Sequence, residues 1–263
     1  QTDERIVGQF YLVDDKIKGE IFNDYANNVA SGQYSHAEGN NTKATGNYSH
    51  AEGSNTKANG YYSHAEGSST TASTNGCHAE GSNTKAVGNS SHAEGDGTQA
   101  NGGSAHAEGS GSRAEGYYSH AEGSNTVANG SNAHAEGYRT QANGYRSHAE
   151  GSETKADGDG SHTEGLNTVA TGDYSHVEGS GTEAAGDYSH VEGKYNKIDY
   201  NDKYAFIIGN GTSTNRRSNA FSIDWNGNIY VNNSDTPVNV LDLLNRLSVL
   251  ESKIAELENS AST

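Results

Sequence analysis

Twelve histidines occur in this chain, and all fall at a constant spacing of 14 residues, from His36 to His190. Each is followed two positions later by a glutamate, from Glu38 to Glu192. In nine rungs a serine precedes the histidine, a pairing that raises the question of nucleophilic catalysis. In an extended chain neighbouring side chains point to opposite faces, so Ser35 and His36 cannot meet in triad geometry, whereas His36 and Glu38 share one face. Two chemistries remain for that face. Imidazoles and carboxylates can satisfy one another in a hydrogen-bonded ladder, which avoids the cost of unpaired buried polar groups. Alternatively, clustered histidines can form an open metal or anion site. Spacing by itself does not select the second, because a repeating fold imposes the same spacing on every rung. The expectation is therefore a structural ladder, with no catalytic residue, no metal and no cofactor assigned.

The elements that must position this ladder follow from the rest of the rung. Ser35 and Ala37 form a small face in the first half, and Thr42 and Ala44 form another in the second, repeated at Ala58, Ala72, Ala86, Ala100, Ala114, Ala128, Ala142, Ala156, Ala170 and Ala184. The two small faces can approach closely. Gly39 and Gly46 are expected at the corners, where positive φ is cheap for glycine. The unit is strand, turn, strand, turn, and its fixed short period marks a solenoid with coils stacked about 4.8 Å apart. Between residues 31 and 193 the aliphatic residues larger than alanine are Val87, Val127, Leu166, Val169, Val177 and Val191. Such a core gains little beside the roughly 1.5–3 kcal/mol of a buried Val or Leu, so further burial is expected from copies of the same chain. Departures from the repeat are few: Thr74 stands at a corner glycine, Ser112 at a threonine, Cys77 at the small-face serine, and Thr163, Val177 and Val191 at the alanine of the first strand. Cys77 reads as a small buried residue, and the two valines as a slight widening of the interior.

The positions Ser35, Ala37, Gly39, Thr42, Ala44 and Gly46, with eleven further rungs, resemble the Ser-x-Ala-x-Gly repeats in the head domains of trimeric autotransporter adhesins. The Ser-His-Ala-Glu-Gly rungs and their flanks, over residues 20 to 231, are similar to tail-fibre-like proteins of prophages in Gram-positive bacteria. The resemblance implies an all-β fold, a trimeric left-handed parallel β-roll of 14-residue coils with a β neck and a short C-terminal coiled coil. In the adhesin heads large apolar residues meet at the trimer axis; here the matching positions are His36 and Glu38. The departure is systematic along the chain and implies a polar version of that axis. It would be built from His36, His50, His64, His78, His92, His106, His120, His134, His148, His162, His176 and His190, with Glu38, Glu52, Glu66, Glu80, Glu94, Glu108, Glu122, Glu136, Glu150, Glu164, Glu178 and Glu192.

Four segments are expected. Residues 1–30 carry Ile6, Val7, Phe10, Tyr11, Leu12, Val13, Ile17, Ile21 and Phe22, apolar enough to cap the first coil and hide its strand edge. Residues 31–193 are the roll. Residues 194–236 form a β neck in which Asn226-Gly227 signals a two-residue hairpin turn. Residues 237–263 form a helix, with Thr236 as N-cap and Pro237 at its first position. Val240, Leu243, Leu247, Leu250, Ile254 and Leu257 supply the coiled-coil core. Tyr34, Tyr48, Tyr62, Tyr118, Tyr174 and Tyr188 each lie two residues before a histidine, so alternation places them on its face, as an interface ladder or a platform for sugars. Lys43, Lys57, Lys85, Arg113 and Lys155 read as a solvated outer face.

A net charge of −17 argues against binding a phosphate backbone. One cysteine rules out an intrachain disulfide framework, and no apolar run approaches the roughly 20 residues of a membrane span. Because neighbouring serine and histidine face opposite ways, no enzymatic activity is expected. By resemblance the chain is expected to be an extracellular, homotrimeric segment of a phage or phage-like tail fibre that meets a cell-surface receptor, glycan or protein. A bacterial surface adhesin is the alternative, and a metal- or anion-binding fibre a lower one. Neither nucleic-acid binding nor membrane insertion is expected.

Overall fold

The computed structural model describes residues 9–13, 16–22, 27–233 and 237–261. The chain falls into two compact units, Gln1–Glu153 and Thr154–Thr263. Both are parallel β-solenoids with 14-residue coils, and the second ends in an antiparallel sheet and one helix.

In the first unit the histidine-bearing strands Ser35–Asn40, His50–Ser54 and His64–Ser68 stack in parallel register, His36 against His50 and Ala37 against Ala51. Two-residue strands such as Lys43–Ala44 and Lys57–Ala58 build a second parallel sheet in the same way. The inward alternation holds at every coil. Ala37, Ala51, Thr42 and Ala44 are fully buried, while His36 and Glu38 are half-exposed. Small side chains are what allow two strands of one coil to close on each other. The serine hydroxyls turn inward too: Ser35 Oγ donates to the Gly32 carbonyl at 2.7 Å and Ser63 Oγ to Gly60 at 2.7 Å. At the start of the unit, strands Gln9–Val13 and Lys16–Phe22 form an antiparallel hairpin, and the second pairs in parallel with Ser35–Asn40. Residues 1–8, 14–15 and 23–26 of the expected cap lie outside the described residues.

The corners differ from expectation in an instructive way. Gly39 does have a positive φ, 112°, but Gly46 does not. Glycine is required at Gly46 because a Cβ there would strike the backbone carbonyl of Gly60 in the next coil. The left-handed residues are instead Asn41 and Tyr34 and their counterparts, at φ 56° in both cases. Asparagine tolerates that region; for tyrosine it is unusual. This also corrects the placement of the tyrosines, since alternation requires extended backbone at each step and Tyr34, Tyr48 and Tyr62 sit in turns. Where Thr74 replaces the corner glycine, the coil is rewired locally. Its backbone N–H donates to Cys77 Sγ at 3.2 Å, Cys77 Sγ donates to the Thr74 carbonyl at 2.8 Å, and Thr74 Oγ1 donates to the Val87 carbonyl at 2.8 Å. The two exceptions to the repeat thus meet each other. Cys77 is buried as expected, and burial raises its thiol pKa.

In the second unit His162–Thr163, His176–Val177 and His190–Lys194 continue the same pattern, and Tyr204–Asn210 adds a further parallel strand. Val177 and Val191 join Ala170, Ala184 and Ile207 in a buried apolar cluster, so the larger side chains fill the interior where this strand closes the stack. Strands Asn219–Asp224, Ile229–Asn233 and Val238–Asn239 then run antiparallel. The Asn226-Gly227 hairpin is real, but its loop is longer than two residues because Asp224 organises it. The Asp224 carboxylate accepts hydrogen bonds from the backbone of Asn226 and Asn228, from Asn228 Nδ2 and from the Tyr230 hydroxyl, with Asn228 first among the contacts that lower its pKa.

Helix α1 spans Val240–Ala261. Asn239 caps it, its Oδ1 accepting the backbone N–H of Leu241 at 2.8 Å and of Asp242 at 3.3 Å. The helix therefore begins three residues beyond Pro237, which precedes the short strand Val238–Asn239; Thr236, the expected cap, lies outside the described residues. None of the helix side chains is buried. Among the described residues no helix is long and apolar enough to cross a membrane.

Candidate functional site

The regular surface feature in both units is the row of imidazoles flanked by carboxylates. Parallel in-register strands put each histidine directly over the one 14 residues before it, so the rings stack. From His50 to His148 successive centroids lie 4.7–4.9 Å apart, with planes within 2–8° of parallel. His36 departs from the stack, edge-on to His50 at 68°. In the second unit His162 and His176 stack at 4.8 Å, His190 tilts, and the row ends edge-on against Phe206.

The carboxylates sit beside this stack within one chain. In the first coils each histidine faces the glutamate of its own coil, His36 Nε2 to Glu38 at 3.5 Å and His50 Nε2 to Glu52 at 3.7 Å. Further along the partner becomes the glutamate of the preceding coil: His92 to Glu80 and His106 to Glu94, both at 3.2 Å. Glu66 lies 3.8 Å from both His64 and His78, at the crossover between the two patterns. In the second unit His176 meets Glu164 and His190 meets Glu178, each at 3.8 Å. Within a single chain, histidine and glutamate thus meet both inside a coil and between successive coils. Several Nε2 atoms, those of His50, His64, His78 and His134 among them, are buried and make no hydrogen bond.

Charge is costly at four of these rings. Burial first, and neighbouring imidazoles second, hold His50, His120, His176 and His190 below the ordinary histidine pKa. Glu178 moves the other way, up to about 7, because it shares hydrogen bonds with Glu164 and Glu192 in the coils on either side. Beside the carboxylates runs an open groove of about 610 Å³ lined by Glu38, Glu52, Glu66, Glu80 and the glycines that follow them.

The Ser–His neighbours are kept apart as alternation requires, with the serine hydroxyls donating to carbonyls inside the coil and the imidazoles outside. The tyrosines form shorter stacks: Tyr34, Tyr48 and Tyr62 at 5.1–5.2 Å, and Tyr174 with Tyr188 at 5.1 Å. These rings are exposed, but their faces are spent on one another, leaving edges and hydroxyls to solvent. Lys43, Lys57, Lys85 and Arg113 are exposed and Lys155 half-exposed.

Two buried asparagines were overlooked in the sequence. Asn28 Oδ1 accepts the backbone N–H and hydroxyl of Thr42, closing the start of the small-face sheet in the first unit. In the second unit Asn196 exchanges hydrogen bonds with the backbone of Glu183, and Arg217 donates to the carbonyls of Gly181 and Asn196. Each amide imitates the next strand of the ladder. Their signal is register: Asn28 stands 14 residues before Thr42 and Asn196 14 residues after Thr182, so each takes the inward threonine position just beyond one end of the repeat.

Compared with known proteins, the chain matches no family model and no curated protein.

Proposed function

We propose that this chain is one strand of a homotrimeric extracellular fibre. Three copies would wind as a left-handed β-roll, continue through the β neck, and join in a coiled-coil stalk. The observation that carries this reading is α1, where Leu243, Leu247, Leu250, Ile254 and Leu257 are each about half-exposed or more and Val240 is partly covered. Leu244 borders the same stripe, while Leu241 and Val249 are exposed on the other side of the helix. A helix with so much exposed aliphatic surface is best satisfied by other chains. The repeat's likeness to prophage tail-fibre proteins supports a structural and receptor-contacting role in a phage or phage-like tail fibre, with a glycan or protein of the cell surface as partner. The match at Ser35, Ala37, Gly39, Thr42, Ala44 and Gly46 favours a bacterial surface adhesin as the second reading.

Native mass spectrometry of the purified chain tests the assembly. A mass near three times 27.6 kDa supports it, and a single-chain mass overturns it. Antibody raised against the coils then separates the two roles: label on the tails of phage particles supports the fibre, whereas label on intact bacterial envelopes supports the adhesin.

A further inference from the structure

A fibre needs a stable surface, but it does not need twelve imidazoles with carboxylates aligned beside them. Alternative polar residues would keep a solenoid face soluble. What this face offers is ligand geometry. Carboxylate oxygens of Glu52 and Glu66 and a ring nitrogen of His64 lie within 4.8 Å of one another, as do ligand atoms of His78, Glu80 and His92 and of His92, Glu94 and His106. Two ligands of a tetrahedral zinc-type ion, each at about 2.0–2.1 Å, stand roughly 3.3 Å apart. The Nε2-to-carboxylate distances bracket that value, 3.2 Å at His92 and His106 and 3.8 Å at His64.

A second observation points the same way. The Nε2 atoms of His64 and His78 are buried, make no hydrogen bond, and face carboxylate oxygens 3.8 Å away. With the ring proton on Nδ1, each such Nε2 presents a lone pair to the space it shares with the carboxylates. Metal binding requires this neutral form.

We propose that the histidine–glutamate row binds divalent cations of the zinc class, each held by an imidazole Nε2 and by carboxylate oxygens of the same and adjacent coils, with water completing the shell. Neighbouring rungs are only 4.8 Å apart, so ions in adjacent coils would repel strongly and the row would fill in alternate coils. The proposal goes beyond the fibre reading and does not depend on it, since every ligand named comes from one chain. Imidazole nitrogen distinguishes these sites from the ion atmosphere expected around a chain of net charge −17.

The test is calorimetric titration of the full, chelator-treated chain with Zn²⁺ alone, at neutral pH in physiological salt with excess Mg²⁺. The expected result is several ions per chain, fewer than the twelve histidines, with affinity falling at least about tenfold as the imidazoles protonate near pH 5. Heat abolished by Mg²⁺ would show a diffuse ion atmosphere and overturn the proposal. Replacing His64, His78, His92 and His106 together by glutamine should lower the stoichiometry while leaving sites elsewhere filled; an unchanged stoichiometry also overturns it. Should that variant fail to fold, X-ray absorption of the zinc-loaded natural chain decides the matter. Imidazole scattering supports the proposal, and a shell of oxygen alone refutes it.

Discussion

The coils and helix α1 both repeat apolar residues along one face, yet they end in opposite states. In the coils Ala37, Ala51, Ala65 and their counterparts are fully buried, whereas in α1 Leu250 and Ile254 are 55% exposed. Side-chain size accounts for the difference. Alanine, serine and threonine are short enough for the two strands of one coil to close upon each other, and the next coil covers what remains. A single helix has no second surface of its own to cover a leucine stripe. Small residues therefore make a solenoid that completes its core within one chain, while large ones make a helix that can complete its core only with others. Short side chains bury little area each, so the solenoid relies on many coils in register.

The sharpest way to break this contrast is to obstruct the stacking of coils. Gly88→Ala would drive a methyl into the carbonyl of Gly102, and the expected loss is about 3 kcal/mol of stability in urea unfolding followed by circular dichroism. An unchanged midpoint would mean the coils do not depend on that close approach. Next in size is Leu250→Asp, which should leave the coil spectrum intact while weakening the proposed association by about 2 kcal/mol per chain, the value of one buried leucine. Light scattering reads the outcome; loss of coil structure would show that the helix and coils are not independent in the way described.

Acid should act mainly on the coils. His50 faces His36, His64, Glu38 and Glu52, and His120 faces His106, His134, Glu108 and Glu122. Their folded pKa values lie below the unfolded one, so the stability they lend is full above the ordinary histidine pKa of about 6.5 and is lost as pH falls below it. Glu178, raised to about 7, has the opposite sign: its contribution is present in acid and lost as pH rises through that value. His176 and His190 lie beside it and share the sign of His50. Hydrogen exchange corrected for intrinsic rate should therefore accelerate around His50 and His120 between about pH 7 and about pH 5, and change less around Glu178. Equal change in both places would remove the carboxylate cluster from the account.

The smallest expected effect concerns the coil that carries Thr74 and Cys77. Thr74→Gly and Cys77→Ser should each be modest alone, but combined they restore the regular corner, with a coupling of about 0.5 kcal/mol or more in a double-mutant cycle. Strict additivity would mean that the sulfur contacts at Thr74 do nothing for stability.

The 14-residue period, the inward alanines and threonines, the shared face of histidine and glutamate and the buried Cys77 were all legible in the sequence. Each follows from alternation and from side-chain size, which are properties of residues in a row. Tertiary structure decided what depends on the coil above or below. It showed that Gly46 is glycine for want of space while Tyr34 and Asn41 take the left-handed backbone, that Cys77 meets the backbone of Thr74, and that Asn28 and Asn196 close the sheets. It also moved the cap of α1 to Asn239 and gave the Asn226-Gly227 loop to Asp224. The physical reason is common to all of these. A carbonyl one coil away lies 14 residues along the chain, so the period announces which residue is the neighbour, but which atoms of the two coils meet there is set only by how each coil closes.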